Sequence, residues 1–133
     1  MNTARERARD EVLTDGLIDW VSLSRVNWQV IQHYPTAHLS EVQNETLELV
    51  RSMAAEGLIE LGEMSNDDGR FVAWDEPLER SMQRIYEAYV THHDNRLGWV
   101  HRYWLNLTDK GRQLILSTEE GQRVARAEKE RLR

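Results

Sequence analysis

The chain contains no cysteine, only two prolines, a single phenylalanine and no apolar run long enough to cross a bilayer. The first absence rules out a disulfide framework, a thiolate metal site and a cysteine nucleophile. With so little proline, little stands in the way of long helices. No apolar stretch follows the basic start Met1-Asn2-Thr3-Ala4-Arg5, so the sequence predicts neither a signal peptide nor a membrane anchor, and a cytoplasmic location. Missing too are a glycine-rich phosphate loop, a Ser-His-Asp arrangement and a paired-carboxylate motif. The expectation is a protein without catalytic residues, metal or cofactor.

What remains is a chain of 133 residues, 30% charged and 40% hydrophobic. That composition fits one globular domain with a core of its own. The domain core is expected over residues 10–116, with a charged helical tail over 117–133. Charge is unevenly placed. Between positions 10 and 79, fifteen acidic residues face three arginines, a net −12, while the whole chain carries −6. The compensating cations lie at the two ends and near residue 102. Such a field repels phosphate backbones and favours a basic protein partner.

Apolar spacing predicts a helix over residues 5–19, with Ala8, Val12, Leu13, Leu17 and Ile18 inward. After a turn at Trp20-Val21-Ser22, a second helix starts on Ser22 or Ser24 and ends before Pro35, with Val26, Val30 and Ile31 inward. A third helix is expected over residues 40–56, with Ser40 and Gln43 as a capping box. Its stripe is Val42, Thr46, Leu49, Val50 and Met53, and Gly57 stops it. Strands over 58–64 and 70–74 flank the turn Ser65-Asn66-Asp67-Asp68-Gly69 as a hairpin. Pro77 opens an inserted helix over 77–92 with Leu78, Met82, Ile85, Tyr86 and Tyr89 buried. A strand over 99–107 leads to Thr108, the cap of one or two final helices that break near Gly121.

Glu56-Gly57-Leu58-Ile59 followed by Tyr103-Trp104-Leu105-Asn106-Leu107-Thr108-Asp109-Lys110-Gly111-Arg112 resembles the winged helix-turn-helix pattern of MarR- and PadR-type regulators. There, a recognition helix ends in a glycine turn into the wing, and the return strand leads through a threonine cap into a further helix. Gly69-Arg70-Phe71-Val72-Ala73-Trp74-Asp75 is similar to a G-x-F-x-x-W-D segment of small bacterial proteins. The resemblance implies an α+β, helix-rich, winged-helix-like fold with a small antiparallel sheet, an inserted helix and a C-terminal helix. It also implies DNA binding, for which Gln43, Asn44, Arg51, Arg70 and Arg102 are the candidate residues. The residues themselves point elsewhere, because the would-be recognition helix presents Glu41, Glu45 and Glu48 where a DNA reader carries cations and amides.

The preferred expectation is therefore a non-enzymatic protein-binding module, for example an immunity-protein or antitoxin-like inhibitor of a basic partner. Its candidate contacts are Glu41, Glu45 and Glu48, the hairpin-tip pair Asp67 and Asp68, and Trp99 and Trp104. The two tryptophans have opposite parity on the expected strand, so one faces inward and the other outward. His92-His93-Asp94 reads as a polar helix terminus rather than a metal site, and Asp67-Asp68-Gly69 as a turn rather than a calcium loop.

Overall fold

Thr3 begins α1 (Ala4–Gly16) in the computed structural model, its hydroxyl accepting from the Glu6 N–H at 3.1 Å. Residues 3–132 are described. Met1, Asn2 and Arg133, the outermost parts of the two basic tails, lie outside the described residues. Ala8, Val12 and Leu13 bury the inner face of α1. The helix stops at Gly16, ahead of the predicted end at 19, and Ile18 is exposed rather than inward. Once the chain leaves the helix, helical spacing no longer says which way a side chain points.

Val21–Ser22 form a two-residue strand, β1, where the sequence predicts a turn. Ser22 then caps α2 (Leu23–His33), accepting from the Arg25 N–H at 3.1 Å. Leu23, Val26, Gln29 and Val30 are buried, whereas Ile31 turns outward, contrary to its predicted place.

The third helix, α3 (Leu39–Ala55), starts earlier than predicted and carries a different cap. His38 is the N-cap, and its N–H donates to Glu41 Oε1 at 3.2 Å. Ser40 is exposed inside the first turn. Gln43 is no cap residue: its side chain is buried and its Nε2 donates to the Tyr89 carbonyl at 3.3 Å. The spacing Ser-x-x-Gln was present, but a glutamate one turn into the helix took the capping role. The predicted stripe is buried, together with Leu47. Gly57 ends the run with φ 76, a left-handed conformation that costs glycine little.

Strands β2 (Ile59–Met64) and β3 (Phe71–Ala73) form the expected antiparallel hairpin, closed by the Ser65 N–H on the Arg70 carbonyl at 2.7 Å. The inserted helix is not one regular element. α4 (Leu78–Tyr86) widens into a π-helical turn (Glu87–Thr91), in which the His92 N–H reaches the Glu87 carbonyl at 3.0 Å. The buried stripe Met82, Ile85 and Tyr89 keeps steps of three and four, and Tyr86 lies one position beside it. Tyr89 is fully buried, while Tyr86, predicted inward, stands in solvent.

A short 3₁₀ turn (Arg96–Gly98) follows, so β4 spans only Trp104–Leu107 and excludes Trp99. Thr108 caps α5 (Asp109–Leu116) and Thr118 caps α6 (Glu119–Arg131). The break therefore falls at Ser117-Thr118 rather than at Gly121.

The fold is α+β and helix-rich, with six α-helices and one small antiparallel sheet among the described residues, in the order β1-β4-β2-β3. Val21, Leu105 and Leu61 lie in register across three strands and face the core. The inserted β3–α4 segment lies in sequence between two strands, β2 and β4, that are neighbours in space. No helix among the described residues is long and apolar enough to cross a membrane.

Candidate partner-binding surface

Alternation along the strands puts one set of side chains on the core and the next on the opposite face. With Val21, Leu105, Ile59 and Leu61 inward, Trp20, Ser22, Trp104, Asn106, Glu60, Gly62, Met64 and Phe71 belong to the outer face. Phe71 stacks on Trp20 with ring centroids 6.4 Å apart, and its ring lies over Gly62. Trp104 stacks on His101 at 6.4 Å, and its indole N–H is held by the His101 carbonyl at 3.0 Å. Three aromatic side chains thus sit partly exposed on one small sheet.

The charges around this face are unequal. Arg70 is held by Asp68 at 2.7 Å and Arg102 by Glu63 at 3.2 Å, so both nearby arginines are neutralised within the chain. Asp19 beside Trp20, Glu60 opposite Asn106 and Asp67 at the hairpin tip are exposed and have no cation at ion-pair distance among the described residues. The local excess is negative.

Of the predicted contact residues, Trp104, Asp67 and Asp68 fall on or beside this face. Trp99 does not. It is 1% exposed, packed edge-on against Tyr89 at 4.9 Å and stacked on His93 at 5.0 Å. Of the two tryptophans, Trp104 is the outward one.

The acidic helix face is also smaller than predicted. Glu45 is no free surface charge: Arg5 grips it through two bonds of 2.5 and 2.9 Å, and the Tyr34 hydroxyl donates to it at 3.1 Å. Those contacts hold its carboxyl below the usual range, the Arg5 hydrogen bond being the largest cause and partial burial opposing it. Glu41 and Glu48 remain exposed, Glu48 at 3.9 Å from Arg51.

The residues named for DNA are dispersed or engaged. Gln43 is buried, and Arg51, Arg70 and Arg102 are ion-paired to Glu79, Asp68 and Glu63. Asn44 alone is exposed without such a partner. Among the described residues no group of three histidines or carboxylates is placed to hold a metal. His93 Nδ1 instead donates to the Tyr89 carbonyl at 2.8 Å.

Sequence reasoning passed over Trp20 and Phe71 as contact residues. Their signal was the strict alternation around Val21 and through the hairpin, which needed the short strand β1 to be seen. Comparison with protein-family models, curated proteins and solved structures finds no match to this chain.

Proposed function

We propose that this chain is a non-enzymatic protein-binding module that receives a basic partner on the outer face of its sheet. The observation that carries the reading is the aromatic group Trp20, Phe71 and Trp104, set among carboxylates while the neighbouring arginines are already paired. Aromatic side chains supply the buried anchor of a typical interface, and unpaired charge around them steers an opposite charge to it. An inhibitor of the immunity-protein or antitoxin kind, acting on a basic enzyme, is one form such a module takes.

Panning a displayed peptide library on the intact chain tests this. Enriched peptides should combine Lys or Arg with an aromatic or aliphatic residue. Trp104→Ala should abolish their binding, and Glu60→Lys with Asp67→Lys should slow association several-fold at low salt. Peptides indifferent to all three substitutions would move the interface elsewhere.

The helix–strand–helix–helix–strand order supports the winged-helix resemblance, and with it the alternative of a DNA-binding regulator. The outward positions of α3 argue for the protein partner, because Glu41 and Glu48 face solvent where phosphates would approach. Duplex DNA is expected to stay unbound near physiological salt. Sequence-specific retention at nanomolar protein would reverse the order of the two readings.

A further inference from the structure

A concavity lies away from the outer sheet face, between α2, the α2–α3 turn and the segment that follows the π-helical turn. Its volume is about 470 Å³. In a chain with 23 acidic residues against 17 basic ones, none of its lining residues is acidic. Arg96 and His93 both line it. The Arg96 guanidinium lies 5.6 Å from the Trp99 ring centroid and has no carboxylate at ion-pair distance among the described residues.

The remaining donor points to the same chemistry. The Tyr89 hydroxyl donates to Asn27 Oδ1, which leaves the Asn27 amide N–H₂ as the free part of that side chain. His93 donates through Nδ1 to the Tyr89 carbonyl, so Nε2 of the neutral ring is an acceptor and adds no donor to the cleft. A carboxylate can accept from the Arg96 guanidinium and the Asn27 amide, whereas a cation would find no counter-charge.

Apart from Ser24 and the Tyr34 hydroxyl, the rest of the lining is apolar, and part of it is open to solvent. Trp28, Ile31 and Leu39 are 45%, 41% and 56% exposed around this one cleft. Covering them removes apolar surface from water, which favours an occupant with an apolar body. A concavity of this size, mostly apolar with a few convergent polar groups, has the general make-up of a small-molecule site. Its floor is fixed, since the Trp99 indole N–H is held by the His93 carbonyl at 2.9 Å.

We propose that this cleft binds a small amphipathic anion, an apolar body of one or two rings carrying a single carboxylate directed at Arg96 and Asn27. The apolar body lies against Trp28, Ile31 and Leu39. A peptide is the less favoured occupant, because no strand edge borders the cleft to hold an extended backbone.

Titrating the intact chain with 2-naphthoate, with its neutral analogue 2-naphthalenemethanol and with acetate tests the assignment, read by calorimetry and by the indole N–H resonances of Trp28 and Trp99. The naphthoate should bind saturably and shift both resonances, about tenfold more tightly than the alcohol, the usual order for one charge-assisted contact. Acetate should not bind. Arg96→Gln, at an exposed position that leaves the fold intact by circular dichroism, should erase the preference for the acid while keeping the weak binding of the alcohol. Ile31→Glu should remove both. Equal binding of acid and alcohol, a preference that survives Arg96→Gln, or no saturable binding at millimolar naphthoate would each overturn the proposal. So would binding of a short peptide ending in Phe when naphthoate does not bind, which would give the cleft to a protein C-terminus.

Discussion

The Thr108 hydroxyl donates to the Gly57 carbonyl at 2.6 Å and accepts from the Gly111 N–H at 3.1 Å, joining the end of α3 to the start of α5. Lys110 Nζ reinforces the junction at the Glu56 carbonyl, 2.7 Å away. Two segments far apart in sequence thus cap each other's loose ends. Thr108→Val, which keeps the shape and loses the hydroxyl, is expected to cost about 1–2 kcal/mol in denaturant unfolding. Gly111→Ala should cost more, because a Cβ there would lie 2.1 Å from the Leu58 carbonyl oxygen. A Gly111→Ala protein as stable as the parent would show that the junction can open.

Acid should weaken the tie between α1 and α3. The Glu45 carboxyl is held below its usual value of 4.5, chiefly by the Arg5 hydrogen bond. A depressed carboxylate contributes stability above its unfolded pKa and loses it as the pH falls through the folded one. Glu45→Gln should therefore be less stable at neutral pH, by about 1 kcal/mol at most, since half of the Arg5 side chain is in solvent. The gap should close below pH 4.5. Thermal melts of both proteins from pH 7 to pH 3 check this, and a constant gap would contradict it.

At the alkaline end Tyr89 should dominate. Burial pushes its phenol from 10.0 up to about 12. The folded chain keeps that proton where the unfolded chain releases it, so stability present below pH 10 is lost as the pH rises towards 12. Unfolding measured across this range should lose on the order of 2 kcal/mol from this group. Ultraviolet titration should show Tyr89 as the latest tyrosine, behind the also raised Tyr34 and Tyr103, and Tyr89→Phe should remove that last step.

Thr46 offers a gain. Its Oγ1 is buried with no partner in hydrogen-bonding geometry, although it lies near enough to the Tyr89 phenol to lower that group's pKa against the larger effect of burial. Thr46→Val replaces the hydroxyl by a methyl of similar shape. The melting temperature is expected to rise by a few degrees, as an unmet buried hydroxyl costs about 1–3 kcal/mol. A fall would mean that Thr46 and Tyr89 bond to one another in solution.

What could be read from the sequence was what neighbouring residues decide. Gly57 and Thr108 act where the sequence places them, and Ser22 is one of the two caps it offers for the second helix. Gln43 does not act as the predicted cap, because its partner is Tyr89, 46 positions on. Glu45 looked like a free surface acid because Arg5 lies 40 positions before it. The π-helical turn had no local mark, since Tyr86 and Tyr89 both fit a regular stripe. The outer sheet face required the pairing of β1 with β4, which two residues of strand hardly announce. The cleft was invisible for the same reason, because its walls come from segments that meet only in space.

The two outermost strands of the sheet, β1 at Val21–Ser22 and β3 at Phe71–Ala73, are two and three residues long. Neither offers enough free backbone to guide another chain into the sheet. A molecule that settles on Trp20, Phe71 and Trp104 must therefore arrive broadside and be recognised by its side chains alone. It can be a helix, a loop or a turn, none of which needs to lend its backbone hydrogen bonds to this sheet.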